Sequence, residues 1–446
     1  MNRLKNAGLV ALVALGALIP AAHLNRWYSL WEALAWLAPA ACLIFTRRDF
    51  VRRVNQILAL AGSLLTVDTM LHFVRLRQAM GAPWLRLAVI LGAAALVTAL
   101  AAWVLEHPLF ARRKGPEGAQ PGPLEFPAAG FAAWAVALGL LAVVQLKVRP
   151  PMLLAERFAQ GAGWLEISLL ALYAGFLAET LSDAKRASKA RRRAWGLFSL
   201  AFFGQLALGL AGFKDFLMTG ALHLPVPALI VAGPLFRGEG LFMLVLFSAT
   251  VLLVGPAWCS HLCYIGAWDS AMSQARKRPA AAPAWLRRGR ILLAAAVFAV
   301  AWGLGRLGVA TLTAVWLAAA FGLAGVGIMA FASRRLGVMA HCTGWCPMGL
   351  LAGLAGRVSP WRLKIGQGCQ GCGVCSLACR YDALRPEDLA RKRPGVSCSL
   401  CRDCLGTCPK SEMSLTFLGR SGPWVWIVFS VLVAALHAVF LGVARI

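Results

Sequence analysis

Along most of this chain apolar residues do not alternate with polar ones. They run on in blocks of about twenty, the length a helix rising 1.5 Å per residue needs to cross about 30 Å of hydrocarbon. Eleven such blocks stand near residues 7–23, 29–46, 55–74, 84–106, 128–147, 161–181, 194–213, 239–257, 289–305, 312–332 and 423–444. Each is predicted to be a transmembrane helix, because in lipid the backbone must satisfy its own hydrogen bonds. The first block follows Arg3 and Lys5 as a secretory signal would, but it has no clear small-residue cleavage site and leads straight into the second. It is therefore read as a helix. The Pro- and Gly-rich stretch 107–127 reads as a linker. The run 347–364 reads as a short amphipathic surface helix, with Arg357, Trp361, Arg362 and Lys364 at the lipid interface.

Composition agrees with this pattern. Of 446 residues, 60% are hydrophobic and only 14% charged, and the mean hydropathy is +0.70. A soluble chain of this size averages about half apolar and about a quarter charged. The net charge of +27, from 45 Lys+Arg against 18 Asp+Glu, is distributed by loop. With a cytoplasmic N-terminus, 34 of the 45 basic residues fall on the inner side and 11 on the outer. That is the positive-inside pattern, and it excludes a nucleic-acid-binding stripe. It predicts a multi-pass protein of a bacterial inner membrane, with residues 333–422 in the cytoplasm and the C-terminus outside. The partners it leaves open are membrane lipid, quinone and redox proteins, and nucleic acid is not among them.

The chemistry lies in the cysteines. Twelve of 13 fall between Cys259 and Cys408. Cys369, Cys372, Cys375 and Cys379 are spaced C-x2-C-x2-C-x3-C; Cys398, Cys401, Cys404 and Cys408 repeat the spacing and are followed by Pro409. Three close thiolates wrap three corners of a 4Fe–4S cubane, and in two-cluster ferredoxins the fourth cysteine of each motif serves the other cluster. The expected ligand sets are therefore Cys369, Cys372, Cys375 and Cys408 for one cluster, and Cys398, Cys401, Cys404 and Cys379 for the other. Gly371 and Gly373 supply the tight turns of the wrap. Arg380 stands where the first motif usually carries proline. Zinc tolerates many spacings and disulfides are rare in a cytoplasmic segment, so both alternatives are weaker. The fold class is thus an all-α polytopic membrane protein of about eleven spans, with a small α+β two-cluster ferredoxin unit inserted before the last helix.

Two further pairs, Cys259/Cys263 in WCSHLCY and Cys342/Cys346 in HCTGWCP, follow the eighth and tenth spans. Residues four apart share a helix face. If these helices are neighbours, the four thiols meet as a third metal centre or a redox-active thiol set, with His261 and His341 as alternative ligands. Simple packing at helix ends is the competing reading.

This order of features resembles the NapH/NosR family of membrane polyferredoxins: paired helices, C-x3-C, two helices, C-x3-C-P, then two ferredoxin motifs. The resemblance covers about residues 194–416. The eight ferredoxin cysteines and Cys342, Cys346 and Pro347 match its pattern; Cys259 and Cys263 match too, with Tyr264 in place of the expected proline. It implies a quinol dehydrogenase component that passes electrons to another redox protein or subunit, or an accessory protein that supplies electrons for metal or cofactor loading of a partner enzyme. It leaves the first six helices and the last unexplained. The implied organisation is a six-helix domain over 1–182, a polyferredoxin membrane core over 183–346, the ferredoxin domain over 347–422 and a final helix over 423–446.

Quinol oxidation needs proton acceptors within the membrane. Asp68 and His72, four apart on the third span, are the candidates, with Glu32, Glu166 and His23 in the outer halves of their helices. His437, His72 and His23 are the residues from which a haem would draw axial ligands, though nothing in their spacing demands one.

Overall fold

The structure, a computed structural model, describes residues 2–46, 48–107, 109–110, 127–217 and 224–443. Most of the expected linker 107–127 lies outside these residues. The chain divides into two compact units, Met1–Glu179 and Thr180–Ile446.

The first unit holds α1 (Asn2–Trp27), α2 (Leu30–Phe45), α3 (Asp49–Ala79), α4 (Leu85–Val104), α5 (Pro127–Lys147), the short α6 (Leu154–Phe158) and most of α7 (Gly163–Ser182). Ten described helices in the whole chain are long and apolar enough to cross a membrane. The expected second span is not among them, because α2 has only 16 residues, a rise of about 24 Å. The Ser29 hydroxyl accepts from Trp31 N–H at its start, and Thr46 turns extended at its end. Polar residues in this unit serve the backbone. Pro39 inside α2 lacks the N–H that would bond Ala35, and the Ser168 hydroxyl donates to that carbonyl instead at 2.8 Å. The buried Asn55 amide donates to the carbonyls of Pro39 at 2.9 Å and Val51 at 2.8 Å.

The second unit holds α8 (Ala184–Leu210), α9 (Leu229–Arg237), α10 (Phe242–Val254), α11 (Gly266–Ser273), α12 (Ala284–Arg306), α13 (Thr311–Ile328), α14 (Arg334–Leu336), α15 (Pro347–Ala355), α16 (Val374–Ala378), α17 (Pro386–Ala390) and α18 (Pro423–Val443). A three-stranded sheet of β1 (Trp361–Ile365), β2 (Met413–Phe417) and β3 (Arg420–Ser421) runs in that order. Strand β1 lies antiparallel to β2, with Trp361 opposite Phe417 and Ile365 opposite Met413. The surface helix expected over 347–364 is corrected here. Helix α15 stops at Ala355, and Trp361, Leu363 and Ile365 alternate inward from β1 while Arg362 and Lys364 face outward. Trp361 is buried, and its indole N–H donates to Leu253 O at 2.7 Å, pinning the sheet to the end of α10. Period-two burial fits a half-buried strand and not an interfacial helix.

The region that carries the two cysteine motifs, 361–421, is tied to the helices by specific polar contacts. The Arg380 guanidinium donates to the carbonyls of Ser273 (3.1 Å), Arg276 (2.8 Å), Lys277 (3.1 Å) and Gly337 (2.8 Å). The residue that replaces proline in the first motif thus gathers the chain ends around α11 and α14. Gly255, at φ +64°, ends α10 where a Cβ would crowd the Ser359 hydroxyl at 3.0 Å and the Leu400 side chain at 3.2 Å, so glycine suits the close approach of the second cysteine motif there.

Candidate iron–sulfur and thiol sites

The two motifs wrap in the same way, 29 residues apart. Cys369 N–H donates to Gly366 O at 3.2 Å, and Cys398 N–H to Gly395 O at 3.0 Å. Asp382 and Ser411, each three residues past the fourth cysteine of its motif, both adopt positive φ. So do Gly371 and Gly373 in the first motif and Leu400 and Arg402 in the second. Left-handed residues at these points turn successive amides toward the inside of the wrap.

The structure gathers the eight thiols into two foursomes that cross between the motifs. The Cys375 thiol is raised by burial and by its neighbours Cys369, Cys408 and Cys372. Burial raises the Cys404 thiol well above its usual range, together with Cys401, Cys379 and Cys398. The thiols of Cys379, Cys398 and Cys401 are each pushed up to about 12, by burial first. Those three and Cys404 line a hollow with ≈ 350 Å³ of empty space, closed by Tyr381, Leu400 and Arg402.

The surroundings of this hollow fit an anionic cluster. Arg191 and Arg402 are buried beside it, at 3% and 5% exposure, with one carboxylate between them: Arg191 donates to Asp403 at 2.7 Å. Arg402 donates to the Ser430 hydroxyl at 3.1 Å and lies over the rings of Trp426 and Phe429. The Nε atoms of both arginines, the Ser399 hydroxyl and the Tyr381 hydroxyl are buried with no hydrogen-bond partner. Two buried cations with one anion leave positive charge uncompensated, and unpaired donors call for acceptors. A cubane's thiolates and sulfides supply both. Among the described residues no group of three or more Cys, His, Asp or Glu closes on a single-ion position.

The C-x3-C pairs also meet. Each spans a π turn, Trp258–Leu262 or His341–Trp345, with its second cysteine in extended backbone just beyond. The Cys342 thiol is raised well above its usual range by burial, by Asp269 and by Cys263, Cys346 and Cys259. Cys259 and Cys342 line a second hollow, ≈ 290 Å³, together with Tyr381 and Cys398. The thiol group and the second foursome therefore border one space.

A family model described as a 4Fe–4S binding domain matches residues 236–280. The match supports an iron–sulfur protein. No curated protein and no solved structure matches the chain. The matched stretch contains Cys259, His261 and Cys263 and none of the eight ferredoxin-motif cysteines, so it draws attention to the first C-x3-C pair of this iron–sulfur protein.

Around that pair His261 is buried, with Nδ1 close to Ala257 O at 3.2 Å and Nε2 without a partner. His341 packs on Gly325. Where Pro347 opens α15, Tyr264 instead stacks on Phe202 at 3.9 Å between ring centroids. Sequence reasoning missed Asp269. It is fully buried in α11, takes a hydrogen bond from the Ser333 hydroxyl at 2.5 Å and from Cys342 N–H at 2.8 Å, and so fixes the second pair. Burial pushes its carboxyl up to about 6. The one available signal was a lone acid six residues past Cys263.

The remaining candidates have other surroundings. Asp68 and His72 are exposed on α3, and the His72 ring lies edge-on to Phe73 at 5.4 Å. Glu32 accepts from the Ser29 hydroxyl, and Glu166 accepts from Ala155 N–H at 2.8 Å, so both serve helix starts. The His23 ring lies 6.4 Å from that of Trp27. His437 belongs to the other unit, buried in α18, and its Nε2 donates to Ala194 O at 3.1 Å. Cys42 lies in α2 as a free thiol.

Proposed function

We propose that this chain is a membrane electron-transfer protein of the NapH/NosR kind, an oxidoreductase component that passes electrons between the quinone pool and a redox partner. Two 4Fe–4S clusters, which supply one-electron transfer when bound, would be held by Cys369, Cys372, Cys375 and Cys408 and by Cys398, Cys401, Cys404 and Cys379. The observation that carries this reading is the crossed grouping of thiols, with uncompensated buried cations beside the second set. The distribution of basic residues supports a cytoplasmic N-terminus and ferredoxin region, with the C-terminus outside. Asp68 and His72 keep their place as the proposed proton-accepting pair of a quinol site, since an exposed acid and histidine on a membrane helix are costly without a use.

The meeting of four thiols at the C-x3-C pairs favours a second reading. They would form a third centre or a redox thiol set, and the protein would supply electrons for metal or cofactor loading of a partner enzyme. The two readings separate in one experiment. In membranes carrying Cys372→Ala or Cys401→Ala, quinol-dependent reduction of the partner is expected to fall to background while the protein stays in the membrane. Unchanged reduction would overturn the electron-transfer reading. Loss of partner metal content in Cys259→Ala or Cys342→Ala with normal quinol turnover would establish the second.

A further inference from the structure

An open depression with ≈ 1710 Å³ of empty space borders the second foursome. Six arginines line it: Arg288 and Arg290 from the start of α12, Arg357 and Arg362 flanking the turn into β1, and Arg391 and Arg393 just past α17. All but Arg290 are exposed. The two carboxylates in the wall, Asp382 and Asp388, are already engaged. Asp382 takes Arg385 and Ala282 N–H, and Asp388 takes Arg385 N–H at 3.1 Å. Among the described residues lining the depression, five exposed arginines therefore face two carboxylates that are already engaged. Its wall also includes Cys398, one thiol of the second foursome.

The positive-inside rule explains why basic residues lie on one side of the membrane, but not why three separate chain segments aim them into one hollow beside a redox ligand. A lipid headgroup would account for Arg288 and Arg290 at the end of a membrane helix. It would leave unexplained Arg391, Arg393 and the thiol in the wall. Like charges gathered around a site concentrate the field and steer an oppositely charged partner into register.

We propose that this depression docks an acidic one-electron carrier protein, resting on the reading that Cys398, Cys401, Cys404 and Cys379 hold a cluster. The reduced carrier gives up one electron and is oxidised by one; the protein takes it up beside Cys398 and is reduced by one. No bond is made or broken.

The test uses the full, cluster-loaded chain in phosphatidylcholine nanodiscs, with a small acidic plant-type 2Fe–2S ferredoxin as probe. Binding is measured at low and high salt, and reduction of the protein by the pre-reduced ferredoxin is followed by stopped flow. Affinity should fall about tenfold as salt rises and about tenfold again in Arg391→Glu/Arg393→Glu. The milder Arg391→Gln/Arg393→Gln should lose about threefold. Reduction by methyl viologen radical, which carries no acidic surface, should be the same in all three proteins. Binding and rate equal to wild type in both variants, or insensitive to salt, would overturn the proposal. So would saturable competition for ferredoxin binding by dilute soluble short-chain phosphatidylglycerol, with the discs kept as phosphatidylcholine, since the arginines would then hold headgroups. Failure of the cluster reading looks different: the wild-type protein then contains no iron and takes no electrons from the viologen either.

Discussion

In the first ferredoxin motif the two left-handed positions are Gly371 and Gly373, and a Cβ at either would meet no protein atom within 4 Å. In the second motif the same positions are Leu400 and Arg402, both buried and both at positive φ. Holding an L-residue there costs about 1–2 kcal/mol each. The first motif avoids that cost and leaves Cys372 exposed, with Val374 and Leu377 exposed beside it. The second accepts it and gains two side chains. Leu400 packs near Gly255, and Arg402 places a guanidinium between Ser430, Trp426 and Phe429 beside Cys401. One backbone repeat has thus become an open site and an enclosed, positively framed one. What differs is which residues α8 and α18 press against the wrap.

The largest expected effect comes from breaking the crossing of ligands. Cys379→Ala lies in the first motif by sequence, yet it should remove the same EPR signal as Cys401→Ala and spare the one removed by Cys372→Ala. Each variant should drop iron from about eight to about four per chain. Pairing of Cys379→Ala with Cys372→Ala would show that each motif keeps its own fourth ligand.

Next is the charge asymmetry. Burial and the nearby Arg191 hold the Arg402 guanidinium below its usual range, while Cys401 and Asp403 draw it back up. A cluster held by Cys398, Cys401, Cys404 and Cys379 would supply negative charge that keeps it cationic. Arg402→Gln should lower the potential of the Cys398 foursome by on the order of 60–120 mV, one to two tenfold steps for a one-electron couple. A redox titration followed by EPR checks this, and the potential of the Cys372 site should not move. Equal shifts at both sites would erase the distinction.

Smaller effects concern the frame. Arg380→Ala removes four hydrogen bonds to carbonyls of the core and should cost about 2 kcal/mol, read as a lower melting temperature or faster proteolysis between α15 and α18. Gly373→Ala places a Cβ at φ +76° where no protein atom lies within 4 Å. It should cost only about 1–2 kcal/mol and leave the iron content unchanged, whereas a larger loss would mean that the open site is as tightly framed as the enclosed one.

Much of this architecture was legible in the residues. Blocks of about twenty apolar residues marked the long helices, because lipid admits few other solutions. The cysteine spacings pointed to two wraps. The block at 29–46 does form a helix, α2, but its 16 residues between Ser29 and Thr46 leave it shorter than the long spans. The strand at Trp361 was hidden because WRLK reads equally well as an interfacial helix end and as an alternating strand, and only its partner β2 decides. The π turns at the C-x3-C pairs, the four carbonyls gathered by Arg380 and the buried Asp269 were not legible at all. Each depends on contacts between segments far apart in the chain, and no local period encodes them. The charge, first read as a marker of sidedness, acquired a second meaning once the fold placed six arginines around one hollow.

The central claim is that the chain holds two cubanes in crossed ligand sets. Its most direct test is the iron and acid-labile sulfide content of the purified protein, with EPR of the reduced form. About eight irons and about eight sulfides per chain, with the magnetic interaction of two neighbouring reduced clusters, are the predicted result. Zinc in place of iron, or about four irons per chain with a single isolated signal, would contradict it.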